Sequence, residues 1–321
     1  DPRLTVDKVG EIIRAQAALG TARLCPTLIT APIEHMQHGL RTIARACDES
    51  PDLNTRVLGI HLEGPYISSR EGFRGAHPLE ATHDPNWGEF LELQRASGHR
   101  IALVTLAPER PGALEFIRRV SREGVRVAIG HTAADGGTIR QAVDAGARLS
   151  THLGNGIAAD LPRHPNPIWW QAAEDRLWAS FIADGHHLDP ATLKVLLRAK
   201  TPERSILVSD ASPLAGLPPG RYGQWTVDPS GKIVVSDTPY LAGSNQDLAT
   251  GVNTVLRETD LTVAETLRMA SVNPARCLGQ PSPSLAVDQP ANLVLFHVKV
   301  RGSIRSIVLQ ETCVDGAWIG V

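Results

Sequence analysis

Short apolar runs alternate with helix-like segments along most of this 321-residue chain. In the helix-like segments, such as 5–19, 111–122, 137–145 and 190–199, apolar residues recur every three to four positions. Seven apolar runs have the length of buried strands, and they lie at 22–30, 56–63, 101–107, 125–132, 147–153, 177–184 and 205–211. A repeated strand–helix unit predicts a parallel sheet with helices packed outside it.

Two architectures have this pattern, a (β/α)8 TIM barrel and an open doubly wound sheet. A barrel requires eight strands. The strand that should precede the first helix would lie upstream of Asp1, with which the sequence begins. Polar residues at the ends of the strands favour the barrel, as described below. We therefore predict an α/β fold, a TIM barrel whose first strand is missing from this chain.

The pattern changes after about residue 220. Residues 222–242 predict a β-hairpin with its turn at Asp228–Gly231, and helical segments follow at 246–258 and 262–271. Two β runs, 292–297 and 304–318, close the chain. We expect a barrel over residues 1–275, with the hairpin as an insertion. Residues 276–321 are then the C-terminal part of a small β-sandwich appendage.

Composition excludes several classes of protein. Hydrophobic residues make up 42% of the chain, charged residues 21%, and the net charge is −2. These values exclude a disordered chain and a polybasic nucleic-acid binder. No apolar run approaches the roughly 20 residues of a membrane span. Four cysteines without a CxxC pair predict a reducing, cytoplasmic location.

Ionisable side chains end five of the predicted strands. Because the carboxyl ends of barrel strands meet at one mouth, these side chains are expected to converge there. Glu63, His131 and His152 would supply two imidazoles and a carboxylate with an open position, the usual composition of a catalytic zinc site. A single histidine at a strand end is more often an ordinary polar residue than a ligand. The conjunction of five such ends favours a metal-dependent site.

Three further residues at these ends have candidate roles. Asp210 could take a proton from a metal-activated water and return it to the leaving group. His187 could polarise the scissile carbonyl. His61 faces the same way as Glu63, two residues along the strand, and either supports the ligands or binds a second metal. None of the five lysines ends a predicted barrel strand, which disfavours a metal pair bridged by a carboxylated lysine.

The motifs around these residues resemble those of the N-acetylglucosamine-6-phosphate deacetylases of the amidohydrolase superfamily. They occur in the family's order from about residue 20 to the end of the chain. The combination of HLEGP with RGAH is specific, whereas NPAR occurs in many amidohydrolases. The matching segments are GIHLEGP at 59–65, RGAHP at 74–78, TLAPE at 105–109, GHT at 130–132, THLGN at 151–155, IADGHH at 182–187, SDA at 209–211, LAGS at 241–244 and NPAR at 273–276.

The resemblance implies a role for each matching position. It implies that Glu63, His131 and His152 bind one or two divalent metal ions, most simply Zn²⁺, and that Asp210 is the catalytic base and acid. It implies that Arg163 reaches the substrate phosphate of the neighbouring subunit in a homodimer. The other positions that match substrate contacts are Ala76, His77, Asn155, Gly156, His187, Leu241, Ala242 and Gly243. The implied reaction releases acetate from the 6-phosphate of an N-acetyl amino sugar, most simply N-acetylglucosamine 6-phosphate.

Several positions depart from the family pattern. The usual N-A-M is Asn155-Gly156-Ile157 here, and the usual R-[DE]-P-G is Arg163-His164-Pro165-Asn166. These departures lie at positions that match contacts to the sugar and the phosphate of the substrate. The resemblance therefore supports deacetylation more directly than it supports recognition of a phosphate. Two alternatives stay open. One is another amidohydrolase, an N-acyl-amino-acid deacylase or cyclic amidase, and the other is a non-catalytic or truncated relative.

Overall fold

The computed structural model describes residues 3–302 and 304–320, which form two compact units. The first unit comprises the chain up to Thr151 together with Gly156–Leu177, and the second comprises His152–Asn155 together with the chain from Trp178 onward. All seven predicted strands are present in shortened form: β1 Thr27–Ile29, β2 Ile60–Glu63, β3 Ile101–Leu106, β4 Arg126–Ile129, β5 Leu149–Ser150, β6 Trp178–Ile182 and β7 Ser205–Val208.

In the first unit, β1 to β5 pair in chain order, and every pair with a described register is parallel. The register places Glu63, the last residue of β2, beside Thr105 of β3, and Thr105 beside Ala128 of β4. The strands therefore end at nearly the same level, which brings the residues after them to one edge of the sheet. The helices of this unit are α1 Val6–Ala18, α2 Ile33–Glu49, α3 Pro51–Arg56, α4 Trp87–Ala96, α5 Ala113–Arg122, α6 Gly136–Ala145 and α7 Pro167–Ala173, with a 3-10 turn at Leu79–Ala81.

The core of the first unit lies between these helices and the sheet. Leu62 and Val104 from the strands and Leu40, Phe90 and Ile117 from the helices are all fully buried within one apolar cluster. Each of these helices contributes one apolar face, as the spacing of its apolar residues predicts. Side-chain caps start several of them; the carboxylate of Asp135, for example, accepts the backbone N–H of Thr138 at 2.8 Å.

In the second unit, β6 and β7 are also parallel. Two antiparallel three-stranded sheets follow in the chain. One contains β8 Gly220–Tyr222, β9 Trp225–Val227 and β10 Ile233–Val235, and the other contains β11 Leu293–Arg301, β12 Ile304–Val314 and β13 Ala317–Gly320. The helices are α8 Pro190–Arg204, α9 Leu248–Glu258, α10 Val263–Ala270 and α11 Val272–Cys277. No helix in the described ranges is long and apolar enough to cross a membrane.

A buried asparagine explains the NPAR segment. The side-chain amide of Asn273 donates to the backbone carbonyls of Pro202 and Ser205, both at 2.7 Å, and Asn273 is almost completely buried. These carbonyls lie where α8 ends, next to the left-handed Thr201 (φ 59°), and where β7 begins. Asn273 therefore fixes the entry of the chain into β7.

We expect Asn273→Ala to destabilise the fold, because both carbonyls would lose a buried donor. The free energy of unfolding should fall by about 2–6 kcal/mol, at about 1–3 kcal/mol for each of the two unsatisfied carbonyl groups. Denaturant unfolding measures the change. Asn54→Ala is the matched control, since exposed Asn54 accepts a hydrogen bond from Arg100. Its effect should stay below about 1 kcal/mol, and equal effects of the two substitutions would contradict the assigned role.

Candidate active site

A buried contact between a histidine and a glutamate lies at the carboxyl ends of β2 and β4. Nε2 of His131 is 2.9 Å from Oε1 of Glu63, and Nδ1 of His131 is 3.1 Å from the carbonyl oxygen of Phe73. Because a carbonyl can only accept, the Nδ1–H of His131 donates to Phe73, and in a neutral ring Nε2 carries a lone pair. That lone pair faces a carboxylate, and such a contact is stable only with a proton or a cation in place.

His77 brings a second imidazole to the same point. Its Nε2 lies 3.3 Å from Nε2 of His131 and 3.8 Å from Oε1 of Glu63, and its Nδ1 lies 2.9 Å from the hydroxyl of Thr30. Two atoms that each bind a tetrahedral zinc at about 2.0–2.1 Å are about 3.3–3.4 Å apart. The donor atoms of Glu63, His77 and His131 lie 2.9 to 3.8 Å apart, so this set can hold a divalent metal ion.

The loop around His131 is held from several directions. The carboxylate of Glu109 accepts the hydroxyl of Thr132 at 2.5 Å and the backbone N–H of Ala133 at 2.7 Å. Gly156 packs on the imidazole face so closely that a Cβ there would lie 2.8 Å from Nδ1 of His131. The family pattern usually has alanine at this position. The glycine here therefore leaves room for the close approach of the ring.

In the second unit, strand β6 positions the loop that contains His152. The backbone N–H of His152 donates to the hydroxyl of Ser180 at 2.8 Å, and the N–H of Leu153 donates to the carbonyl of Ser180 at 2.9 Å. The N–H of Asn155 in turn donates to the carbonyl of His152 at 2.9 Å. Ser180 of β6 therefore fixes the backbone of His152 and Leu153 directly, and that of Asn155 through His152.

Asp210 follows β7 and is held by the LAGS segment. The backbone N–H of Ser244 donates to the carbonyl of Asp210 at 2.8 Å, and the N–H of Ser212 donates to the carbonyl of Ser244 at 2.9 Å. Gly243 has φ 76°, and a Cβ there would lie 2.9 Å from the Asp210 carbonyl oxygen. Ala242 also donates to Ile233 of β10. The segment Leu241–Gly243 therefore connects the sheet β8–β10 to the backbone of Asp210.

Three predicted site residues have left-handed backbone conformations. The φ angles are 49° for His131, 30° for His152 and 49° for Asp210. For a residue with a side chain this conformation costs roughly 1–3 kcal/mol, and it persists where the surrounding structure enforces it. Each of these residues is the second residue after the end of its strand, where the chain makes a tight turn. The strain marks the same strand ends that the sequence pattern identified.

An aspartate–histidine pair follows β6. Oδ2 of Asp184 accepts Nδ1–H of His187 at 2.7 Å, and Oδ1 accepts the backbone N–H groups of His186 and His187, both at 2.9 Å. The two side chains are 4–5% exposed. Burial favours the neutral acid, but the hydrogen bond and charge of His187 outweigh it, and the pKa of Asp184 lies well below its usual range.

The remaining predicted residues are dispersed. Half-buried Ala76 adjoins His77, and Arg163 is exposed in the loop before α7. Both ring nitrogens of His61 lie near threonine hydroxyls, at 3.2 Å from Thr27 and 2.7 Å from Thr105. The structure thus groups Glu63, His131, His77 and Gly156 in the first unit. It groups His152 with Asn155, Asp184 with His187, and Asp210 with Leu241–Gly243 in the second.

Sequence reasoning missed the residues that support the site. Glu109 lies in the TLAPE segment, and its position in a motif was the only available signal for its contact with the His131 loop. Phe73 and Thr30 act through a backbone carbonyl and a small hydroxyl, for which no residue pattern exists. His77 was expected as a substrate contact, and its closeness to Glu63 and His131 depends on the path of the loop after β2.

Comparison with known proteins agrees with this geometry. The model of the amidohydrolase family matches residues 9–319. The chain is 36% identical over 276 residues to an N-acetylgalactosamine-6-phosphate deacetylase of Escherichia coli O157:H7, covering 85% of this chain and 72% of the relative. It is 32% identical over 294 residues to an N-acetylglucosamine-6-phosphate deacetylase of Vibrio furnissii, covering 90% and 73%.

A crystal structure of N-acetyl-D-glucosamine-6-phosphate deacetylase from Mycobacterium smegmatis is similar in fold. It superposes with a TM-score of 0.86 at 31% identity, over 98% of this chain and 81% of that one. The predicted fold class, a TIM barrel of the amidohydrolase type with a small β appendage, is confirmed by this similarity.

Proposed function

The chain belongs to the amidohydrolase family, and from this membership we propose that it hydrolyses the acetamide of an N-acetylhexosamine 6-phosphate. N-Acetylglucosamine 6-phosphate is the first substrate, and its products are glucosamine 6-phosphate and acetate. The observation that carries the proposal is the buried cluster of Glu63, His77 and His131, in which Nε2 of His131 lies 2.9 Å from Oε1 of Glu63. N-Acetylgalactosamine 6-phosphate is the second substrate to test, because the E. coli relative is named as its deacetylase.

The metal ligands are Glu63 and His131, with His152 as the third. Imidazole nitrogen and carboxylate oxygen suit Zn²⁺, the expected ion, and one or two ions are compatible with these residues. When bound, the ion supplies Lewis acidity toward water and the amide carbonyl. The hydrogen bond from Nδ1 of His131 to Phe73 keeps Nε2 available for the ion.

The chain's own residues move the proton and bind the sugar. Asp210 takes a proton from the attacking water and then returns it to the departing amine. His187 contacts the acetamide, and backbone groups of Leu241–Gly243 contact the sugar. His77, Ala76, Asn155 and Gly156 complete the substrate contacts, and His61 supports the ligands from the sheet. We propose that residues 1–275 form the barrel and residues 276–321 belong to the β domain. We also propose that the protein is a homodimer in the cytoplasm.

Acetate release tests the proposal. The assay compares N-acetylglucosamine 6-phosphate, its galactosamine epimer and free N-acetylglucosamine, each with Zn²⁺ and with a chelator. Chelator-sensitive turnover that favours a phosphorylated sugar is the expected result. Turnover of an N-acyl amino acid or a cyclic amide, with none of a sugar, would assign the chain to another amidohydrolase activity. The absence of all turnover in metal-loaded protein would contradict the proposal.

We expect Arg163→Ala to raise KM for the phosphorylated sugar about tenfold or more, because an arginine–phosphate contact is worth roughly 1.5–3 kcal/mol. KM for free N-acetylglucosamine should stay unchanged. Steady-state kinetics on both sugars measure the difference. Arg140→Ala, a change in an exposed arginine that lies 5.2 Å over the Trp170 ring, is the control and should leave both values alone. Equal effects of Arg163→Ala on both sugars would remove the phosphate role.

A further inference from the structure

The pair Asp184–His187 has a geometry that goes beyond binding a substrate. We propose that Asp184 is a positioning residue, which holds His187 in the Nδ1–H tautomer and presents its Nε2 to the substrate. The inference rests on the proposed function, in which His187 contacts the acetamide. Asp184 ends one of the predicted strands, and its contact with His187 gives it this specific role.

The carboxylate of Asp184 determines which ring nitrogen of His187 carries the hydrogen. The pKa of Asp184 is lowered, so its carboxylate is ionised and can only accept hydrogen bonds. Because Oδ2 lies 2.7 Å from Nδ1 of His187, Nδ1 carries the hydrogen. Nε2 is then the one ring nitrogen left for a ligand, whichever charge the ring has.

Asp184 also fixes the orientation of the His187 imidazole. Oδ1 of Asp184 accepts the backbone N–H groups of both His186 and His187, so the carboxylate cannot rotate without breaking two further bonds. Gly185, at φ 83°, allows the tight turn that brings His187 back over the carboxylate. The imidazole is therefore held through its ring nitrogen and through its own backbone. A ligand contact at Nε2 would need no reorganisation of the ring.

The substitution Asp184→Asn tests the tautomer with little change in shape. Its carbonyl oxygen can still accept the two backbone N–H groups, but an NH2 group now faces Nδ1 of His187. The ring must then carry its hydrogen on Nε2. We expect the ¹⁵N NMR signals of His187, identified by their loss in His187→Gln, to change from the Nδ1–H pattern to the Nε2–H pattern.

The kinetic expectation follows from the same change. With N-acetylglucosamine 6-phosphate, kcat/KM should fall about 10²–10³-fold, since the wrong tautomer of a catalytic histidine costs up to about 10⁴-fold in a comparable triad. The double variant Asp184→Asn/His187→Gln should be no slower than His187→Gln alone, because both changes remove one function. Asp189→Asn is the matched control. This exposed aspartate caps α8, asparagine caps helices equally well, and the rate should stay within about twofold.

Three outcomes would overturn the inference. The first is an Nε2–H tautomer of His187 in the unaltered protein. The second is an Asp184→Asn variant with unchanged NMR signals and rate. The third is a double variant whose loss is the product of the single losses, which would give Asp184 a structural role independent of His187. If the unaltered protein releases no acetate, the proposed function fails, while the NMR comparison still decides the tautomer.

Discussion

Asp210→Asn is expected to reduce kcat by about three orders of magnitude or more while leaving the bound metal in place. Removal of a residue that moves a proton in the transition state costs about 10²–10⁴-fold, and in the proposed mechanism Asp210 serves both the attack of water and the departure of the amine. Asparagine tolerates the left-handed backbone of Asp210, at φ 49°, so the fold should be retained. Acetate release and metal content of the same preparation measure the two effects.

Asp237→Asn provides the matched control. Asp237 also has a left-handed backbone, at φ 65°, and its exposed carboxylate pairs with Arg221 at 3.1 Å. The chemical change is identical, but Asp237 has no proposed role in the reaction, so kcat should be unchanged. Near-normal turnover of Asp210→Asn would remove the assignment of Asp210 as base and acid. An equal loss in both variants would attribute the effect to the backbone.

Glu63→Gln is expected to lose both metal and turnover. The carboxylate is the one anionic donor of the cluster, and a neutral amide binds Zn²⁺ far more weakly. The change should lower metal affinity by more than about 10²-fold, since the loss of a group that only supports a ligand already costs about 10–100-fold. Metal analysis after dialysis against a weak chelator measures it. Glu115→Gln, an exposed glutamate that pairs with Arg119, should retain the metal, and retention in both variants would contradict the site.

Two histidines, His77 and His152, are candidates for the third metal ligand. His77 lies beside Glu63 and His131, whereas the family pattern assigns the ligand to His152, whose backbone shares the left-handed conformation of His131. We expect His152→Asn to lose the metal and His77→Asn to keep it with a raised KM. The same dialysis and kinetics distinguish them. Loss of metal in His77→Asn, with retention in His152→Asn, would assign the ligand to His77.

The sequence predicted the strands better than the contacts of the loops. Alternating apolar runs located all seven strands, because a buried parallel strand needs a continuous apolar stretch and leaves a strong signal. The runs overestimated strand length: 147–153 contains only β5 Leu149–Ser150, since Thr151 and His152 already turn away from the sheet. Ionisable residues at strand ends could be recognised for the same reason, as polar positions after an apolar run.

The loop contacts could not be predicted in this way. The bond between Glu109 and the turn after His131 joins two loops that are separated along the chain, and its formation depends on how β3 and β4 align. The hydrogen bond of Asp184 to His187 is local, yet an aspartate three residues before a histidine is too common to indicate a pair. Periodicity reports which face of an element is buried, and it contains no information about loop paths.

The two hydrogen bonds between Asp210, Ser212 and Ser244 also bear on how such an enzyme can diverge. They join the two ends of the loop formed by residues 213–243, beside Asp210. The entropy of closing a loop rises only slowly with its length. The stretch 213–240, which ends before the Leu241–Gly243 segment, can therefore change in length or sequence between relatives while the backbone of Asp210 keeps its place. At this point of the chain, the sequence of the loop and the position of Asp210 can therefore evolve independently.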